Sequence, residues 1–206
     1  MRIKGRIAGA LLAGAALLSG GAAAAVTAAP ASAATTHTTA TVGCDDYNDG
    51  YCGSQQLKFG KFDLDVYQQK AAYGNKVILW TRSSSDPAQD FVAKNYNGIN
   101  NDKTFEYAPN GVPSGLCVSF PSTAKASKAV LRTCNQSAYQ TFEPVPMSGS
   151  YVAWKNLASG YVMEDGAYGN QGTQLDQWVF NGGDNQAWKF VSGLSNFTKA
   201  GQALAS

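Results

Sequence analysis

Residues 151–192 read YVAWKNLASGYVMEDGAYGNQGTQLDQWVFNGGDNQAWKFVS. Short bursts of alternating apolar and polar residues are broken by glycine-bearing turns, and the stretch ends in Asn185-Gln186-Ala187-Trp188. Such bursts between turn clusters are the pattern of short, half-buried strands. Two weaker copies of the ending lie upstream, Gln89-Asp90-Phe91 and Gln140-Thr141-Phe142, with the three glutamines 51 and 46 residues apart. Self-similarity at that period signals a repeat architecture.

Aligning the copies on their glutamines gives three repeats, at about 57–97, 102–146 and 150–192. Each contributes four strand-like bursts. They are 56–59, 64–66, 76–80 and 89–92 in the first repeat; 104–107, 117–120, 129–132 and 140–142 in the second; and 151–155, 162–164, 173–178 and 186–190 in the third. Twelve short strands with threefold repetition fit a closed barrel capped by hairpins better than a three-bladed propeller, because closure leaves no sticky edge. In that arrangement Phe91, Phe142 and Trp188 enter a common core. The amides of Gln89, Gln140 and Gln186 hydrogen-bond the turns of their own repeats, and Trp154 belongs to the core as well.

The segments outside the repeats read differently. Arg2, Lys4 and Arg6 precede an Ala/Leu/Gly run and the small-residue site Ala31-Ser32-Ala33. That order describes a secretory signal peptide over 1–33, and predicts a secreted, extracellular protein with no membrane insertion. Residues 34–43 read as a flexible leader, 44–56 as a disulfide-closed turn region and 193–206 as a flexible tail. Of 16 Lys+Arg against 14 Asp+Glu, three basic residues fall in the signal segment, so the remainder is close to neutral. No basic stripe is present, which argues against nucleic acid as a partner.

Four cysteines in an exported chain allow three pairings. The local one, Cys44 with Cys52 and Cys117 with Cys134, is expected because each bond then closes one loop of a repeat-like unit. Neither spacing resembles C-x-x-C, and no redox or zinc site is expected. Asp45-Asp46-Tyr47-Asn48-Asp49-Gly50 hints at a calcium loop. Tyr47 stands where a ligand belongs and Gln56 where the closing acid belongs, so no metal or cofactor is expected. The only histidine, His37, lies in the leader, which leaves a serine or cysteine nucleophile without its usual base. The protein is therefore read as non-catalytic.

This grammar resembles the ricin-type β-trefoil lectins, the family of Q-x-W repeats. The third repeat carries it most fully, in Val162-Met163-Glu164, Gln177-Trp178, Asn181-Gly182-Gly183 and Asn185-Gln186-Ala187-Trp188. The resemblance spans about 57–192. It implies an all-β trefoil of three four-stranded repeats that binds carbohydrate. Family sites combine an early acid, an aromatic platform and an amide just before the glutamine. Carried over, these are Glu164, Trp178 and Asn185 with Gln186 behind them in repeat three. Repeat one has Asp65 and Trp80 with Gln89, but Ala88 at the amide position makes it the weaker site, with Tyr73 or Asn75 as substitutes from the neighbouring loop. Repeat two has Ser119, Arg132 and Tyr139 at the three positions and is read as structural. The expected partner is a glycan or polysaccharide, with galactose- and xylose-type sugars among the candidates. The competing reading is a secreted trefoil whose sugar sites have degenerated and which binds or inhibits a protein.

Overall fold

The computed structural model describes residues 50–95, 102–166 and 169–192, all within one compact unit spanning Thr39–Ser206. In chain order the strands are β1 (Gly50–Leu57), β2 (Phe62–Val66), β3 (Val77–Thr81), β4 (Phe91–Asn95), β5 (Lys103–Tyr107) and β6 (Leu116–Ser119). They continue with β7 (Val130–Thr133), β8 (Phe142–Pro146), β9 (Val152–Asn156), β10 (Val162–Glu164), β11 (Asp176–Trp178) and β12 (Trp188–Ser192).

Six of the strands close a ring. β1 pairs β4, β4 pairs β5, β5 pairs β8, β8 pairs β9, β9 pairs β12 and β12 returns to β1, every pair antiparallel. The other six form the hairpins β2–β3, β6–β7 and β10–β11, one per repeat. Backbone bonds tie the hairpins into a triangle: Val77 N–H donates to Ala129 O, Ala129 N–H to Leu175 O, and Leu175 N–H to Val77 O, at 3.2, 2.9 and 3.1 Å. The expected β-trefoil is the fold observed, a six-stranded barrel closed at one end by three hairpins.

Because side chains alternate faces along a strand, each repeat sends the same positions inward. Phe91, Phe142 and Trp188 are fully buried, as are Leu64, Val118 and Met163, and Val77, Ala129 and Leu175. Phe105 bridges Phe142 and Trp154, with ring centroids 5.4 and 5.0 Å apart. Trp154 Nε1–H donates to Gln55 Oε1 at 3.0 Å, which satisfies the indole in the core.

The glutamines do one job three times. Gln89 Nε2 donates to Thr81 O, Gln140 Nε2 to Thr133 O and Gln186 Nε2 to Val179 O, each at 2.9 Å. Their Oε1 atoms accept from Ser83, Asn135 and Asn181 N–H at 2.9, 2.9 and 2.8 Å. Each amide thus stitches the end of the hairpin to the start of the next barrel strand.

Two sequence expectations need correcting. The glutamines sit in one-turn 3-10 segments (Pro87–Gln89, Ala138–Gln140 and Asp184–Gln186) ahead of β4, β8 and β12 rather than in those strands. The side-chain bonds just described fold the backbone back at that point; in repeat one, Asp86 Oδ1 also accepts from Ala88 N–H at 2.9 Å. The first barrel strand begins at Gly50, inside the stretch expected to be a turn, because Gly50–Gly53 pairs with β4 and Gly53–Leu57 with β12. Gly53 permits this double pairing, since a Cβ there would lie 2.1 Å from Val191 O.

The Cys117–Cys134 disulfide is formed across the open end of the β6–β7 hairpin. Closing a loop of this length contributes roughly 3 kcal/mol by restricting the unfolded chain. Cys44 lies outside the described residues, as do the signal, leader and tail.

Candidate functional site

The hairpin registers fix which residues correspond. Asp65 faces Ile78, Ser119 faces Val130 and Glu164 faces Asp176. Two residues further along the returning strand, Trp80 faces Asp63, Arg132 faces Cys117 and Trp178 faces Val162. Asp65, Ser119 and Glu164 are therefore equivalent, as are Trp80, Arg132 and Trp178.

In repeat one, Asp65 and Trp80 line a depression of about 260 Å³ together with Tyr67, Gln69, Ile78 and Ala88. Trp80 is 38% exposed, and Tyr67, also exposed, is a second aromatic in the wall. Asp65 is buried, and its Oδ2 accepts from Gln89 Nε2 at 3.2 Å. Burial pushes the Asp65 carboxyl up to about 7; the Gln89 hydrogen bond lowers it, and the charges of Asp86 and Asp63 add to the rise. Neither substitute proposed for the missing amide reaches this pocket. Asn75 Nδ2 donates to Tyr67 O and Lys70 O at 2.8 and 2.7 Å, holding its own loop, and Tyr73 faces the pocket of repeat two.

In repeat three, Glu164 and Trp178 line a smaller depression of about 190 Å³ with Gly166 and Asp176. Glu164 Oε2 accepts from Gln186 Nε2 at 2.8 Å and Asn185 Nδ2 at 3.2 Å. Burial raises the Glu164 carboxyl, against the lowering effect of the Gln186 bond, and neighbouring Asp176 adds to the rise. Asp165 is turned to a different task, its carboxylate accepting from Gly169 N–H. The register therefore identifies Glu164, not Asp165, as the counterpart of Asp65.

Asn185, Gln186 and Gln89 are all brought to the acids, but their amide hydrogens are spent inside the protein. Asn185 Nδ2 donates to Glu164 and to Asp165 O, Gln186 Nε2 to Glu164 and Val179 O, and Gln89 Nε2 to Asp65 and Thr81 O. These side chains aim the carboxylates. The two pockets share a carboxylate and an indole.

Two residues of the repeat-three pocket were not singled out for it from sequence. Asp176, at the place of Ile78, binds Lys128 Nζ through Oδ2 at 2.6 Å, and its buried Oδ1 has no hydrogen-bond partner. A side chain at Gly166 would strike this carboxylate, since a Cβ there would lie 2.8 Å from Oδ2. Lys125, from the loop of repeat two, places Nζ 4.3 Å from the centroid of the half-buried Trp178 ring, a cation–π contact that occupies one face. Asp176 is visible as an acid in β11, but its role depends on strand pairing. Lys125 gives no sequence signal at all.

Comparison with known proteins agrees on fold. The chain superposes on the designed threefold-symmetric protein ThreeFoil with a TM-score of 0.62 and 19% identity, over 69% of this chain and 99% of that one. The Rhizoctonia solani agglutinin gives 0.58 and 20%, over 70% and 96%. An exo-β-1,3-galactanase from Clostridium thermocellum gives 0.62 and 19% over 69% of this chain, which matches 30% of the enzyme. Identities this low establish the β-trefoil fold. No protein-family model matches the chain, and no curated protein sequence does.

Proposed function

We propose that this protein is a non-catalytic carbohydrate-binding trefoil that takes sugar residues in the pockets of repeats one and three. One observation carries the reading: in both repeats the strand-pairing register brings a glutamine-anchored carboxylate and a tryptophan to the same depression. An indole face packs on the C–H face of a pyranose, and a buried carboxylate accepts from its hydroxyls. Asp65 with Trp80, and Glu164 with Trp178, are the contact residues; Gln89, Asn185 and Gln186 position the acids. The similarity in fold to the Rhizoctonia solani agglutinin supports this reading. So does the presence of the same fold within a galactan-degrading enzyme.

Shallow pockets of this size bury little area, so single sites bind in the millimolar to tens-of-micromolar range. Useful retention then comes from two sites engaging one polymer. The signal-like leader supports action outside the cell on galactose- or xylose-type polysaccharide. The protein-binding alternative is favoured at repeat three by Lys125 over Trp178 and by Val179 and Phe180, 52% and 45% exposed beside it. A glycan array probed with the folded full-length chain separates the two. Binding to neutral glycans supports the sugar reading, and a blank array with intact folding supports the protein partner.

A further inference from the structure

The second repeat, read from sequence as structural, carries a depression of its own. It measures about 430 Å³ and is lined by Tyr73, Ser119, Arg132, Asn135, Ser137 and Tyr139 among others. By register it is the counterpart of the other two pockets, with Ser119 at the acid position and Arg132 at the tryptophan position. The two exchanges act together. Replacing the carboxylate by a hydroxyl removes what would repel an anion, and replacing the indole by a guanidinium supplies what attracts one. Arg132 is the one charged residue lining the pocket.

The state of Arg132 points the same way. Its Nε is buried and has no hydrogen-bond partner in the protein. Its guanidinium carbon lies 5.7 Å from the centroid of the Tyr73 ring, a cation–π contact that uses none of its N–H groups. Guanidinium matches a carboxylate fork to fork. Tyr73 and Tyr139, 67% and 42% exposed, flank the charge with aromatic surface suited to a sugar ring.

We infer that the pocket of repeat two binds a carboxylate-bearing sugar, a uronic acid residue, with Arg132 holding the carboxylate and the two tyrosines framing the ring. The inference shares with the proposed function only the premise that these pockets take sugars; its residues and its test are separate.

The test is a titration of the 15N-labelled full-length protein with sodium glucuronate, glucose and sodium acetate at fixed ionic strength, followed by amide shifts. Glucuronate is expected to move amides around Arg132, Asn135 and Tyr139 in a saturable way, while glucose leaves them in place. Arg132→Gln and Arg132→Lys should each weaken glucuronate binding at least tenfold, and Tyr73→Ala several-fold. Tyr73 is exposed, so that variant reports even if the arginine variants fold poorly. Acetate binding as tightly as glucuronate, shifts confined to repeats one and three, or glucuronate affinity unaffected by both Arg132→Lys and Tyr73→Ala would overturn the assignment. Glucuronate bound at repeat two by a protein that binds no neutral sugar would uphold it while sinking the reading of repeats one and three.

Discussion

Asp65→Asn turns the burial of one carboxyl into a measurable pH dependence. The Asp65 carboxyl sits at about 7 in the folded protein, against an ordinary value of 3.8, chiefly because burial disfavours its charge. The folded state therefore holds this proton more tightly than the unfolded chain does. The stabilisation that follows is complete below pH 4 and disappears as the pH rises through 7. At ~1.4 kcal/mol per tenfold change in proton affinity, the gap corresponds to ~4 kcal/mol at most, and roughly half of that if the pocket relaxes. An asparagine is neutral throughout and can present its oxygen to Gln89 Nε2, so it escapes the penalty. Urea denaturation at pH 4, 6 and 8 should show D65N close to wild type at pH 4 and more stable by ~2–4 kcal/mol at pH 8. Asp90, raised to about 6, and Asp63 and Glu164, also raised by burial, impose their own pH dependence on both proteins, so to first order it cancels in the difference. A difference that stays flat with pH, or a variant less stable at pH 8, would refute the reasoning. A carboxylate kept where an amide would be more stable is what a ligand site requires.

Other outcomes follow from the same structure. Gln140→Ala removes two hydrogen bonds and leaves Thr133 O and Asn135 N–H to find other partners. It should lower stability by ~2–3 kcal/mol in chemical denaturation while leaving neutral-sugar binding unchanged. Replacing Cys117 and Cys134 together by serine should cost ~3 kcal/mol, read as a lower melting temperature that no longer responds to reductant at this bond. Lys125→Ala frees the covered face of Trp178 and should strengthen sugar binding at repeat three about two- to fivefold, since the contact is worth ~0.5–1 kcal/mol. Calorimetry in a Trp80→Ala background reads that site alone.

The barrel was legible in sequence because one physical task recurs three times. A glutamine with both ends bonded and an aromatic fixed in the core leave the same trace at residues 89–91, 140–142 and 186–188. The equivalence of Asp65, Ser119 and Glu164 followed from the same alignment, and the hairpin registers put them at the same position of the three hairpins. What was not legible depends on contacts between elements. The bonding of Asn185 to Glu164 and Asp165 shows that its amide hydrogens are consumed, which residue identity alone does not reveal. Asp176 acquires its place through pairing with Glu164 across β10 and β11. Lys125 arrives from another repeat. Gly50–Gly53 read as a turn because glycine and cysteine carry little strand signal, yet pairing with β4, joined at Gly53 by β12, holds this segment extended. Repeat two reads as empty because it has neither the acid nor the indole, and its pocket carries the opposite charge in Arg132.

The central claim is that the carboxylate–tryptophan pairs of repeats one and three are sugar sites. Its most direct test is a titration of the wild type, Trp80→Ala, Trp178→Ala and the double variant with galactose, xylose and N-acetylgalactosamine, with folding checked by circular dichroism. The account predicts saturable binding by the wild type, loss of one site's amide shifts in each single variant, little change in stability, and no neutral-sugar binding by the folded double variant. A folded double variant that binds as the wild type does, or a folded wild type that binds none of the three sugars, would contradict it.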